Sequence, residues 1–139
     1  MPLTKVSHLT VWVLDQDEAR DFYENKLGLE VREDSTLEEM GGFRWLTVGP
    51  KDQPELEIIL LVPGPPPVSP EATEQVKQLM AQGVLAGCIF EVEDCQATYE
   101  ELRDRGVEFT HEPVERFYGI DAAFRDPFGN QHRLTQRPS

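Results

Sequence analysis

Apolar and polar residues alternate from the start of the chain. Across residues 4–14, Leu9, Val11 and Val13 alternate with His8, Thr10 and Trp12, the period of a strand whose two faces meet different surroundings. The period then changes. Ala19, Phe22, Tyr23 and Leu27 fall at i, i+3, i+4 and i+8, the stripe of a helix lying on a sheet, with Asp15 or Asp17 to cap it and Gly28 to end it. Residues 30–35 return to an extended pattern and 36–42 are a polar connection. Residues 43–48 and 56–62 read as two more strands about a turn near 49–54.

A degraded copy of this opening returns later. VSHLTVWVLDQDEARDFYENKLGLE, residues 6–30, reappears as AGCIFEVEDCQATYEELRDRGVE, residues 86–108. Val13 meets Val92 and Asp15 meets Asp94 at an offset of 79, whereas Gly28 meets Gly106 and Glu30 meets Glu108 at 78, so one residue is lost between them. The copy predicts a strand over 87–92, a helix over 95–105 capped by Asp94 and a strand over 107–112. Strands over 119–125 and 131–135 follow, joined by a turn at Asp126-Pro127-Phe128-Gly129-Asn130. Between the copies, PGPPP forbids regular hydrogen-bonded structure, and 70–82 reads as a helix with Pro70 near its first turn and Gly83 after its end. The expected fold class is α+β: one domain over 1–139, with βαβββ modules over 4–62 and 86–136 and a Pro-rich linker and helix over 63–85.

Composition narrows the function. The net charge of −13 is spread along the chain and argues against nucleic acid or an anionic membrane surface, both of which are bound through Lys and Arg. No apolar run approaches the roughly eighteen residues of a membrane span, and the first residues lack a signal peptide's apolar region, so a cytoplasmic location is expected. Cys88 and Cys95 fall on different elements without a second metal-ligand pair, which suits core thiols. A cationic or neutral small molecule fits this field best.

Four stretches carry a family likeness: His8-Leu9-Thr10-Val11 on the first strand, FYENKLGLEV at the end of the first helix, Phe90-Glu91-Val92-Glu93-Asp94 in the copy, and Arg125-Asp126-Pro127-Phe128-Gly129-Asn130 near the end. With them the chain resembles the vicinal oxygen chelate superfamily, which includes glyoxalase I, fosfomycin-modifying enzymes, extradiol dioxygenases and bleomycin-resistance binding proteins. The resemblance covers nearly the whole chain. It implies paired βαβββ modules whose curled mixed sheets make an open cup with helices outside, and often a homodimer. It also implies a divalent metal held by four side chains, one on the first and one on the last strand of each module, with substrates chelating it through two adjacent oxygens.

The four positions do not all survive. His8 matches the first-strand ligand of the first module and Glu57 its last-strand ligand, but in the second module Gly87 and Arg133 occupy the corresponding places. Two donors do not normally hold such a metal, and a guanidinium donates only and repels a dication. Strand alternation sends the neighbouring Cys88 and His132 to the opposite face unless a bulge shifts the register. The expectation is therefore no cofactor; the alternative is a divalent metal at a site rescued by Cys88 or His132.

Without the metal, Arg133 is expected either to pair with Glu57 or to hold a ligand carboxylate, enolate or phenolate, against the plainer reading of a solvated surface arginine. His8 is a general base or ligand contact oriented by Glu57, or a hydrogen-bonded bystander. Thr10, Trp12 and Trp45 are candidate ligand contacts, although strand tryptophans often belong to a core. Tyr118 is a further candidate contact, with packing or a dimer interface as its alternative, and the PGPPP segment is either a lid or an arm gripping a second subunit. Three functions follow: a metal-independent small-molecule binding protein taking an apolar or cationic ligand, an enzyme using His8, Glu57 and Arg133 or a rescued metal, and an accessory module.

Overall fold

Each copy of the repeat builds a four-stranded mixed sheet. The computed structural model describes residues 2–65 and 67–138, and the chain divides into two units, one ending at Val68 and the other beginning at Ser69. The first unit runs β1 (His8–Trp12), α1 (Gln16–Arg20) continued by a π-helical turn (Asp21–Lys26), β2 (Glu30–Leu37), a 3-10 turn (Glu38–Met40), β3 (Phe43–Gly49) and β4 (Glu57–Leu61). The second runs α2 (Pro70–Gln82), β5 (Ala86–Glu91), α3 (Cys95–Asp104), β6 (Glu108–Arg116), β7 (Gly119–Arg125) and β8 (Gln131–Gln136). The sheet orders are β1-β4-β3-β2 and β5-β8-β7-β6. In each, the first and last strands of the module pair in parallel and the remaining pairs are antiparallel.

In the first sheet, alternation divides the faces as the pattern requires. Val11, Val13, Leu46, Val48, Ile58 and Leu60 are buried on one face together with Ala19, Phe22 and Tyr23 of the helix. Fully burying a side chain of this size contributes about 1.5–3 kcal/mol, so this stripe anchors the helix. Leu27, expected in the same stripe, is only half-buried. Asp15 caps α1 by accepting from the Glu18 amide, and the side chain of Gln16 donates to the carbonyls of Arg44 and Leu60, tying the helix start to β3 and β4. Asp94 and Ser69 cap α3 and α2 in the same way.

The one-residue difference between the copies has a structural cause. Leu27 N–H donates to the Phe22 carbonyl and Leu29 N–H to that of Tyr23, whereas Val107 N–H donates to Leu102. The extra residue of the first copy is absorbed as a π-helical turn, the usual way a helix accommodates a single insertion.

Several boundaries differ from the sequence reading. β1 covers residues 8–12 rather than 4–14, because its ladder partner β4 is itself only Glu57–Leu61. β2 extends through Leu37, and a 3-10 turn takes the middle of the expected polar connection; β6 continues to Arg116 opposite the full length of β7. The PGPPP segment includes residue 66, so its expected role as lid or arm lies partly outside the described residues.

Candidate functional site

The predicted site residues fall into two groups, one in each unit. On the first sheet, the face opposite the helix carries His8, Thr10 and Trp12 from β1, Trp45 and Thr47 from β3, and Glu57, Ile59 and Leu61 from β4. His8 and Glu57 are register partners, and their parallel alignment brings Nε2 within 3.5 Å of Oε2. Glu57 is held from its other oxygen by the Thr47 hydroxyl at 2.6 Å. The His8 ring lies against Trp45, with centroids 5.9 Å apart, and its Nδ1 is 2.8 Å from the Ser7 hydroxyl. Both His8 and Glu57 keep solvent access, with side chains 37% and 23% exposed, while Trp12 and Trp45 are half-buried. A flat ring resting on the tryptophans would meet an imidazole and a carboxylate at its edge.

In the second unit, Arg133 is held by a carboxylate of its own sheet. Its Nη1 donates to Oδ2 of Asp121 at 2.6 Å, and the Tyr118 hydroxyl donates to the same oxygen at 3.1 Å. Glu57 and Arg133 each have partners within their own unit, and the backbone shows that they are not matching positions of the two modules. Val13 N–H donates to Leu61 and Val92 N–H to Thr135, while Glu57 N–H donates to Ser7 and Gln131 N–H to Leu85. By these matching bonds Glu57 corresponds to Gln131, and Arg133 corresponds to Ile59.

The same bonds locate an extra residue in β5. The offset is 78 at Ser7 and Leu85 but 79 at Val13 and Val92, and the β5–β8 register shifts between Ala86 and Ile89. A bulge therefore exists where the sequence reading allowed one, but it does not turn His132 outward. His132 is fully buried, packed near Phe90 and Phe124, and its Nδ1 accepts the Cys88 amide at 2.8 Å. Because Nδ1 accepts, the neutral ring carries its proton on Nε2, which lies 3.9 Å from Asp126. The histidine satisfies the amide freed by the bulge. Burial, with Asp126 nearby, pushes the Cys88 thiol up to about 11, which leaves it protonated near neutral pH.

These observations decide whether a divalent metal fits the four inherited positions. A Cβ on Gly87 would lie 2.3 Å from Nδ1 of His132 and 2.6 Å from the Gln131 carbonyl, so no ligating side chain can stand there. Arg133 brings a permanent positive charge. The last-strand places match as Glu57 with Gln131 or as Ile59 with Arg133, so His8 is joined by at most Glu57 and the Gln131 amide oxygen, and among the described residues no group of three or more His, Cys, Asp or Glu side chains is arranged to hold a metal ion. The donor set does not fit the metal that the family resemblance implies.

Thr47, His111 and Asp121 escaped the sequence reading. Thr47 shares Trp45's strand face by simple alternation. Asp121 had a visible signal, a single carboxylate inside the apolar strand GIDAAF, since such a group is buried only with partners. Elsewhere on the first sheet, Arg44 and Arg20 grip Asp34 and hold its carboxyl down at about 2, a structural network away from the His8 pair.

Comparison with known proteins agrees with this architecture. A family model described as Glyoxalase/Bleomycin resistance protein/Dioxygenase superfamily matches residues 5–134. The chain is 37% identical over 134 residues to the uncharacterized protein YurT of Bacillus subtilis (strain 168), covering 96% of this chain and 99% of that protein. Among solved structures it is similar to UcmS2, at 49% identity and a TM-score of 0.89 over 96% of this chain and 98% of that one. It is also similar to TnmS3, an antibiotic binding protein from Streptomyces sp. CB03234, at 30% identity and a TM-score of 0.77 over 99% of both chains. Among the described residues no helix is long and apolar enough to cross a membrane.

Proposed function

We propose a function from one premise: the chain belongs to the Glyoxalase/Bleomycin resistance protein/Dioxygenase superfamily. It is a metal-independent small-molecule binding protein that takes an apolar or cationic ligand on the open face of its first sheet. The observation that carries this reading is the fate of the inherited ligand positions, where packing excludes any side chain at residue 87 and an ion-paired arginine stands at 133. Trp45 and Trp12 supply flat apolar contacts, Thr10 borders them, and His8 with Glu57 supplies polar ones. The net charge of −13 favours a cationic group on the ligand. Similarity to TnmS3, an antibiotic binding protein, supports a sequestering role.

Val6 and Leu9, exposed at and just before edge strand β1, support assembly as a homodimer, which sedimentation would test. For binding, the experiment is equilibrium dialysis against a panel of aromatic and glycopeptide antibiotics. Micromolar binding of a flat member, lost in Trp45→Ala, is expected, whereas nothing tighter than about millimolar across the panel would refute the reading.

One observation favours a second reading. Glu57 sits 3.5 Å from His8 and is fixed by Thr47, the arrangement of a base with its orienting carboxylate. A metal-free acid/base enzyme would use His8 in this way. Turnover that His8→Ala abolishes at unchanged melting temperature would establish it over simple binding.

A further inference from the structure

One row of side chains crosses the second sheet on a single face. Ile89 on β5 and Ala123 on β7 are both register partners of Arg133 on β8, and His111 on β6 is the partner of Ala123. Beside this row, two residues from Ala123 and on the same face, stands Asp121. Its side chain is fully buried, and its Oδ2 gathers Arg133, the Tyr118 hydroxyl and, at 3.7 Å, Nε2 of His111. Its other oxygen, Oδ1, is buried with no hydrogen-bond partner.

A buried carboxylate oxygen left unpartnered is costly, so the cluster is poorly made for stability alone. It is well made to aim a cation. Arg133 gives one N–H to Asp121, its side chain remains 49% exposed, and a guanidinium has five N–H donors in a rigid plane. Anchoring one edge presents the rest outward as a fork, and a carboxylate or phenolate is the group such a fork accepts. Ile89, 69% exposed and directly beside Arg133, provides an apolar surface for the body that carries the oxyanion. That surface matters here. In a chain of net charge −13, a bare small anion gains little, whereas an aromatic acid adds burial to the charged contact.

His111 borders the same place. Its Nδ1 is 2.9 Å from the Glu112 carbonyl, which can only accept, so Nδ1 carries a proton, and Nε2 faces the Asp121 carboxylate.

We propose that the second module carries an oxyanion-recognition site, in which Arg133, aimed by Asp121 and Tyr118, holds the carboxylate or phenolate of a small aromatic acid against Ile89. Asp121 is a positioning residue and does not touch the ligand. The site stands independently of the reading of the first sheet.

The test uses the full, isotope-labelled protein and benzoate as probe, with benzamide as the neutral isostere and acetate as the charge without the ring. The readout is the Arg133 side-chain Nε–Hε resonance in a proton–nitrogen correlation spectrum. Benzoate should shift it saturably, with benzamide and acetate each at least about tenfold weaker. A linear drift with benzoate, or an equal response to benzamide or acetate, overturns the proposal. Asp121→Asn, checked for folding by circular dichroism, should weaken benzoate binding several-fold by releasing the guanidinium. Unchanged binding in that variant would show that Asp121 does not aim it and would overturn the positioning argument. Should that variant not fold, Tyr118→Phe serves the same purpose, since it removes only a hydroxyl and should weaken benzoate binding measurably.

Discussion

The two modules are copies that have each absorbed one extra residue, in different places and with different results. In the first, the addition lies in the helix and becomes a π-helical turn, Asp21–Lys26, which leaves β1 and its His8–Glu57 pair in plain parallel register. In the second, it lies in the first strand and becomes a bulge at the position corresponding to His8. The bulge brings Gly87 against His132 and commits that histidine to the Cys88 amide, in a core place where the first module has Ile58. A helix takes up an insertion locally, whereas a strand passes it to every group that depends on register. One open face kept a histidine–carboxylate pair; the other acquired an arginine held by a buried aspartate.

The largest effect expected from breaking this comparison is at the bulge. Gly87→Ala should cost about 3 kcal/mol in urea denaturation, because the new methyl must displace His132 or the Gln131 carbonyl. A loss below about 0.5 kcal/mol would mean that the close approach is not maintained. Next is the first sheet's Arg44–Asp34–Arg20 network. The folded Asp34 carboxyl is lowered from 3.8 to about 2, chiefly by its hydrogen bonds with Arg44, so its contribution is complete above pH 3.8 and is lost as pH falls through about 2. Asp34→Asn should therefore lower stability by about 2 kcal/mol near neutral pH, and the gap between the two proteins should close towards pH 2. A gap that persists at pH 2 would assign the loss to packing.

Smaller effects sharpen the contrast between matching positions. His132→Ile gives the second core the residue of the first, but strands the bulge amide, and should cost about 1–2 kcal/mol despite the apolar gain. A more stable variant would show that the amide finds another partner. His8→Ala should change stability by less than about 0.5 kcal/mol, since the ring is partly exposed, while weakening ligand binding on that face. Calorimetric unfolding alongside dialysis separates the two.

The fold was legible because it is written twice. The spacing from Asp15 to Gly28 and from Asp94 to Gly106 marks both helices, and α2 and β7 begin and end where their Pro, Gly and apolar signals place them. His8, Trp45 and Glu57 could be assigned to one face from alternation within single strands. Asp121 and His111 could not be joined to Arg133 in that way, since their meeting depends on register across three strands. β6 alone shifts register twice, between Phe109 and His111 and between His111 and Val114. The expected Glu57–Arg133 pairing treated as equivalent two positions that the backbone bonds set two residues apart.

The central claim is that the inherited metal site has been dismantled and that the protein binds its ligand without it. The most direct measurement is metal content by mass spectrometry on untagged protein after incubation with Mn²⁺, Ni²⁺, Zn²⁺ and Fe²⁺ and desalting. The account predicts that no metal is retained in stoichiometric amount and that ligand binding is the same with and without a chelator. One equivalent of metal held per chain, or binding that appears only when metal is added, would contradict it.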